Sequence, residues 1–318
     1  MRVSATGVER PVHGPVSATE DGSRGVVPTL AELVALRQAA AGRRVPRRGR
    51  HGASGPAPAP VRGRGMEYAE SRAYTPGDDV RHIDWRLTAR SGRMHTKLFQ
   101  AERQRLTLLV ADTAPALYFG TRVRFKSVQA ARAGAVAAWA ALRDGDRLAA
   151  LRGSHDEPPV PPAGGSRGAL RVLDALVRWY AQPPAGDAGL ALALEHARRL
   201  VRPGSRVYVL AEPASIGAVP RAAWAGLAAH HEVVVLLVQD PLERDPPRTR
   251  LPFVDTGRRV EVDLGAERDF GRWRAAFGAV AEEAADALRA HGARVHLLST
   301  DAPSHAWLPA TGAGSLPA

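Results

Sequence analysis

The chain is 318 residues long and 45% hydrophobic, enough for a sizeable core in one large domain or two ordinary ones. It has no cysteine, which excludes disulfides, a thiolate nucleophile and cysteine-ligated metal centres. The net charge is +12, but residues 1–65 hold eleven Arg against four acids, and GC-rich coding accounts for much of the Arg, so charge is a weak guide to partners.

Residues 1–27, rich in Gly, Pro, Ser and charge without a sustained period, read as a disordered basic arm. A helix is predicted over 28–42, with Thr29 and Glu32 as a capping box and Leu30, Leu33, Val34 and Leu36 as its apolar stripe. Residues 43–64 carry seven Arg, no acid and a Pro-Ala-Pro-Ala-Pro run, the composition of an extended linker. A distinctive segment fills 65–103. From 104 to 300 strands and helices alternate, which predicts a parallel sheet covered on both faces.

The expected strands of that region are 106–112, 147–151 with a partner near Val160, 206–210, 232–238 and 294–298. The expected helices are 126–143, 168–180, 188–201, 221–229 and one long helix over 269–291. A hairpin over 253–264 turns at Thr256-Gly257, and 301–318 reads as a flexible tail. The longest apolar strand run, Val233 to Val238, is far short of the roughly 18 residues that cross a bilayer. With no apolar stretch near Met1 either, no signal peptide or membrane span is expected, and the location expected is cytoplasmic.

The distinctive segment runs Tyr74-Thr75-Pro76-Gly77-Asp78-Asp79-Val80-Arg81-His82-Ile83-Asp84-Trp85-Arg86-Leu87-Thr88-Ala89-Arg90. Pro76-Gly77 suits a type II turn, where glycine takes positive φ without strain. Asp78 or Asp79 can cap the helix that follows. Asp84 is spaced to pair with Arg81 and Arg90 around Trp85, a cluster expected to fasten the segment to the sheet. The alternative is a metal or acid–base site on Asp78, Asp79, His82 and Asp84; against it, each acid has an arginine or a capping role close by.

Together with Gly63-Arg64-Gly65-Met66-Glu67-Tyr68, Gly92, Lys97-Leu98-Phe99 and Glu102, this segment closely resembles the signature of the domain of unknown function 58 family. The C-terminal part of that family is similar to a von Willebrand factor A domain. The resemblance implies a doubly wound sheet in the order 3-2-1-4-5-6, with a crevice between the strands ending at Asp112 and Glu212. In such domains an Asp-x-Ser-x-Ser loop, a Thr and a second Asp hold Mg²⁺, whose hardness suits oxygen ligands. Here the loop reads Asp112-Thr113-Ala114-Pro115-Ala116, Ala188 stands at the Thr position and Glu212 at the second Asp. A degenerate site without tight Mg²⁺ binding is therefore expected, with Asp112 left to cap a turn.

Family members are commonly encoded beside MoxR-type AAA+ ATPases, so the resemblance implies a non-enzymatic adaptor for such an ATPase, with no cofactor of its own. Two alternatives come from other classes. Residues 43–64 can neutralise nucleic-acid phosphates, though they offer no aromatic side chain for stacking. A metal-dependent hydrolase on Asp78, Asp79, His82 and Asp84 is the remaining enzyme reading, because no nucleophile elbow, P-loop or dinucleotide fingerprint occurs. Ser154-His155-Asp156 are contiguous, the wrong geometry for a triad, and His230-His231 read as a dipole-stabilised surface pair at a helix end.

Overall fold

The structure, a computed structural model, describes residues 25–41, 43, 66–101, 105–255 and 258–309. The chain divides into a large unit, drawn from residues 1–47 and 105–318, and a small one, 48–104. Most of the 1–27 arm, the 43–64 linker beyond Arg43, the 256–257 turn and residues 310–318 lie outside the described residues.

The expected first helix is two short ones, α1 (Leu30–Ala35) and α2 (Arg37–Ala41), separated at Leu36. Thr29 caps α1 by accepting the Glu32 N–H at 3.3 Å, but Glu32 closes no capping box; its carboxylate pairs with Arg132. The small unit then follows with β1 (Met66–Ala73), α3 (Trp85–Ser91) and β2 (His95–Ala101), the strands pairing antiparallel.

The large unit resumes with β3 (Leu106–Ala111), α4 (Lys126–Arg143), β4 (Arg147–Arg152), β5 (Val160–Ala163), α5 (Gly165–Tyr180) and α6 (Gly189–Leu200). Next come β6 (Arg206–Ala211), α7 (Pro213–Gly217), α8 (Arg221–His230), β7 (Glu232–Gln239) and α9 (Pro241–Arg244). The hairpin of β8 (Arg250–Asp255) and β9 (Arg258–Asp263) begins three residues before its expected start. The expected long helix is α10 (Glu267–Trp273) and α11 (Ala279–Ala290) joined by a π-helical turn, Arg274–Gly278, before β10 (Arg294–Ser299).

The sheet order is β10-β7-β6-β3-β4-β5, parallel throughout except for β5, the order that the resemblance implied. Strand alternation divides its side chains between two layers. Leu109, Ala111, Tyr208 and Leu210 face α4 and α5; Leu108, Val110, Val207 and Val209 face α6, α8 and α11. Alanine makes α4 a strong helix and lets it lie deep in the first layer, where Gly134 leaves room for Leu210.

Two segments expected outside the sheet domain belong to that first layer. Leu33 of α1 is fully buried there, and the Trp139 indole donates to its carbonyl at 2.9 Å. The tail expected from 301 is instead packed as far as Leu308, with Trp307 edge-on to Tyr208 at 5.5 Å. In both places side chains outside the alternating pattern complete this layer, Leu33 beside Trp139 of α4 and Trp307 against Tyr208 of β6 and His296 of β10.

Candidate functional site

β3 and β6 are adjacent and parallel, so Asp112 and Glu212, one residue beyond each strand, meet at the C-terminal edge of the sheet. Asp112 is 1% exposed. One of its oxygens accepts the Ala114 N–H and the other the Glu212 N–H, each at 3.0 Å, and the Ser215 hydroxyl also bonds to it. Burial outweighs these bonds and raises its pKa above the ordinary aspartate value. Asp112 thus caps the turn after β3 and also ties β3 to the start of α7.

Thr113 is equally buried and donates through Oγ1 to Asp187 at 2.8 Å. Ala114, Ala116 and Ala188 bring no side-chain oxygen to the edge. Glu212 is 7% exposed, and its pKa is pushed up to about 7, mainly by burial and against the pull of Lys126. Its Oε1 lies 3.4 Å from the Lys126 ammonium, while Oε2 has no hydrogen-bond partner among the described residues.

Lys126 is wholly buried at the first turn of α4 and makes its shorter contact, 2.6 Å, with Glu243. Glu243 completes a capping box at α9, its other oxygen accepting the Asp240 N–H at 2.9 Å. One ammonium therefore links the carboxylates that follow β6 and β7. A divalent ion does not fit this edge. Asp112 is committed to backbone donors, Thr113 to Asp187 and Glu212 to a resident cation, and no group of three or more His, Cys, Asp or Glu able to hold a metal occurs among the described residues.

In the small unit, Tyr74 begins the connection after β1, its N–H bonded to the Met94 carbonyl at 2.8 Å. Gly77, after Pro76, takes φ 110°, as the turn requires. Asp78 accepts the Thr75 N–H at 2.9 Å and pairs with Arg72 at 2.6 Å, which together hold it below the usual carboxylate range. Asp79 caps a 3₁₀ turn, Val80–His82, by accepting the Arg81 N–H at 3.0 Å. Ile83 is buried and bridges to Thr96.

The expected pairing of Asp84 with Arg81 and Arg90 does not form. Asp84 caps α3 instead, accepting the Leu87 N–H at 3.0 Å and the Ser71 hydroxyl at 2.9 Å, and these donors hold its pKa down. Arg81 lies 3.8 Å from Asp79, and Arg90 is exposed in the last turn of α3. The physical reason is helix geometry: a residue at the N-cap sits beside unpaired N–H groups that it satisfies before reaching a solvated arginine. Thr88 accepts the His95 N–H at 3.1 Å, Ala89 is exposed, and so is Trp85. The carboxylates of Asp78, Asp79 and Asp84 thus serve separate local structures.

Ser154 accepts the N–H groups of Asp156 and Glu157 in a local turn. His231 is half-buried, and burial and the neighbouring His230 lower its pKa, which corrects the dipole-stabilised surface pair.

With this geometry established, comparison with known proteins decides the family. The family described as "Protein of unknown function DUF58" matches residues 70–287, more than half of the chain. The chain belongs to it. The DUF58 region runs from β1 into α11 and so takes in parts of both units. Uncharacterised proteins of Mycobacterium bovis and Mycobacterium tuberculosis are each 32% identical to this DUF58 chain over 250 residues, covering 76% of it and 77% of theirs. A pilus adhesin, SpaC, from Lactobacillus rhamnosus GG overlays with a TM-score of 0.26 at 10% identity, over 62% of this chain and 24% of its own, a likeness too faint to argue from.

Reading the sequence alone missed Lys126 and Glu243. A signal was present: Lys126 is one of two lysines in a chain of forty-two arginines, and a compact ammonium fits a closed space that a guanidinium fork does not.

Proposed function

We propose that this DUF58 chain is a non-enzymatic adaptor that works in the cytoplasm with a MoxR-type AAA+ ATPase in assembling or activating other proteins. The observation that carries the non-enzymatic half is the Lys126 ammonium held between Glu212 and Glu243. Where open α/β sheets ordinarily place ligands and reactive groups, this chain places two buried carboxylates drawn together by one buried ammonium. The ATPase half rests on the family's gene neighbourhood. No helix among the described residues is long and apolar enough to cross a membrane, which agrees with a protein free to meet such a partner.

The test is capture on the immobilised full chain, with and without ATP, read by mass spectrometry. Enrichment of an AAA+ ATPase supports the reading, and recovery at background level counts against it. Calorimetry with MgCl₂ and MnCl₂ provides the parallel check on the crevice: no heat of binding is expected, and micromolar affinity for either ion would return metal chemistry to the site.

A further inference from the structure

The connection between β1 and β2 carries side chains that its own folding does not use. Gly77, Asp78, Asp79, Ile83, Asp84 and Thr88 each have a task inside the small unit. Trp85 has none: it is 67% exposed as the first residue of α3, and no hydrogen bond or ring contact joins its indole to a described residue. Val80 is 61% exposed and Met94 48%. The Asp84 N–H donates to the His95 carbonyl at 2.7 Å, which sets the start of α3 beside the chain at Met94.

Among the described side chains, the charges around this apolar group are unbalanced. Arg86 and Arg90 are one turn apart on α3 and Arg93 follows it; all three are exposed, and none pairs with an acid among the described residues. The acids nearby are engaged elsewhere, Asp78 with Arg72, Asp79 with Arg81 and Asp84 at the helix cap. A large aromatic side chain next to unpaired arginines is the composition of an interface hot spot, and uncompensated positive charge selects a negative partner.

We infer that this face of the small unit docks an acidic protein segment, whose carboxylates meet Arg86, Arg90 and Arg93 while its apolar side chains pack on the exposed Trp85, Val80 and Met94. The inference deepens the adaptor reading and rests on it only for the partner being a protein. A nucleic-acid strand suits the face less well. Val80 and Met94, the two aliphatic side chains, add nothing to base stacking.

The test uses the full chain and a short fluorescein-labelled peptide repeating Asp-Glu-Leu, followed by anisotropy. Trp85→Ala is expected to weaken binding about thirtyfold or more, the loss that defines a hot spot, with the unfolding midpoint unchanged. Arg86→Glu with Arg90→Glu is expected to abolish binding, and replacing Leu by Gly in the peptide to weaken it. Undiminished binding by either variant overturns the inference. So does a Trp85→Ala chain that unfolds, or a wild-type chain that ignores the peptide while binding phosphatidylglycerol vesicles or single-stranded DNA. AAA+ capture by Trp85→Ala at the wild-type level would remove this surface and leave the adaptor reading intact; peptide binding without any ATPase capture would do the reverse.

Discussion

Replacing Lys126 by Met tests whether its ammonium is what allows two carboxylates to lie inside the sheet edge. Methionine keeps the length of the side chain and removes the charge, leaving Glu243 and Glu212 facing each other across an apolar group. Breaking a buried pair by deleting one partner costs about 3–5 kcal/mol. The cost must depend on pH, because Glu212 already titrates near 7 in the folded protein against 4.5 for a free glutamate. A carboxyl raised in this way makes its full contribution to stability below about pH 4.5 and loses it as the pH rises through 7, a change of about 3 kcal/mol. Without the ammonium the folded value rises further, so the variant at pH 5 holds Glu212 neutral and escapes most of the penalty. At pH 8, by contrast, it must either bury an unpaired charge or hold a proton against the solvent.

Urea unfolding at pH 5, 6.5 and 8 measures this directly. Tryptophan fluorescence reports mainly the large unit, since the small unit's described tryptophan, Trp85, is already in water. The gap between wild type and Lys126→Met is expected to reach about 3–5 kcal/mol at pH 8 and to narrow toward pH 5. Equal midpoints at pH 8, or a gap that widens toward acid, would refute the electrostatic account of the cluster.

Three further outcomes follow from the packing. Leu33→Ala should lower the stability of the large unit by about 2–5 kcal/mol in the same assay, because α1 is part of its core. Gly153→Ala should cost about 1–3 kcal/mol or more, since the added Cβ would collide with the Gly189 carbonyl oxygen; Gly134→Ala, which meets only leucine methyls, should cost less. In the small unit the pKa values of Asp78 and Asp84 are lowered, so their contribution is present above the free value of 3.8 and lost as the pH falls through the folded values. Amide protection factors in α3, which are corrected for the slower intrinsic exchange in acid, should therefore fall as the pH drops through those values, and Asp84→Ala should lower them at neutral pH, most of all at Leu87.

The sheet was legible because its strands alternate or run apolar between clear turn residues, and α4 from Lys126 to Arg143 matches its predicted limits. The break at Leu36 and the π-helical turn at Arg274–Gly278 left no such trace, since neither carries a Pro, and the Arg and Gly residues found there also occur inside the unbroken α4 as Arg132 and Gly134. At the candidate site, sequence showed which hydroxyls were missing from the edge but not what stood among the carboxylates. Lys126 and Glu243 are separated by more than a hundred positions and meet only because α4 and α9 begin at the same end of the sheet. Spacing alone makes Asp84 an ion-pair partner, whereas its preference for a free N–H depends on where the helix starts.

The large unit pins both sides of the gap left by residues 48–104. Arg143, at the end of α4, donates to the carbonyls of Ala40 and Arg43, and the Arg147 N–H, four positions on, donates to the Arg105 carbonyl at 2.8 Å. The polypeptide thus departs from and re-enters the sheet body beside one short turn. A single chain break between Arg43 and Arg105 would therefore leave all six strands of the sheet on one fragment and part them from α1 and α2.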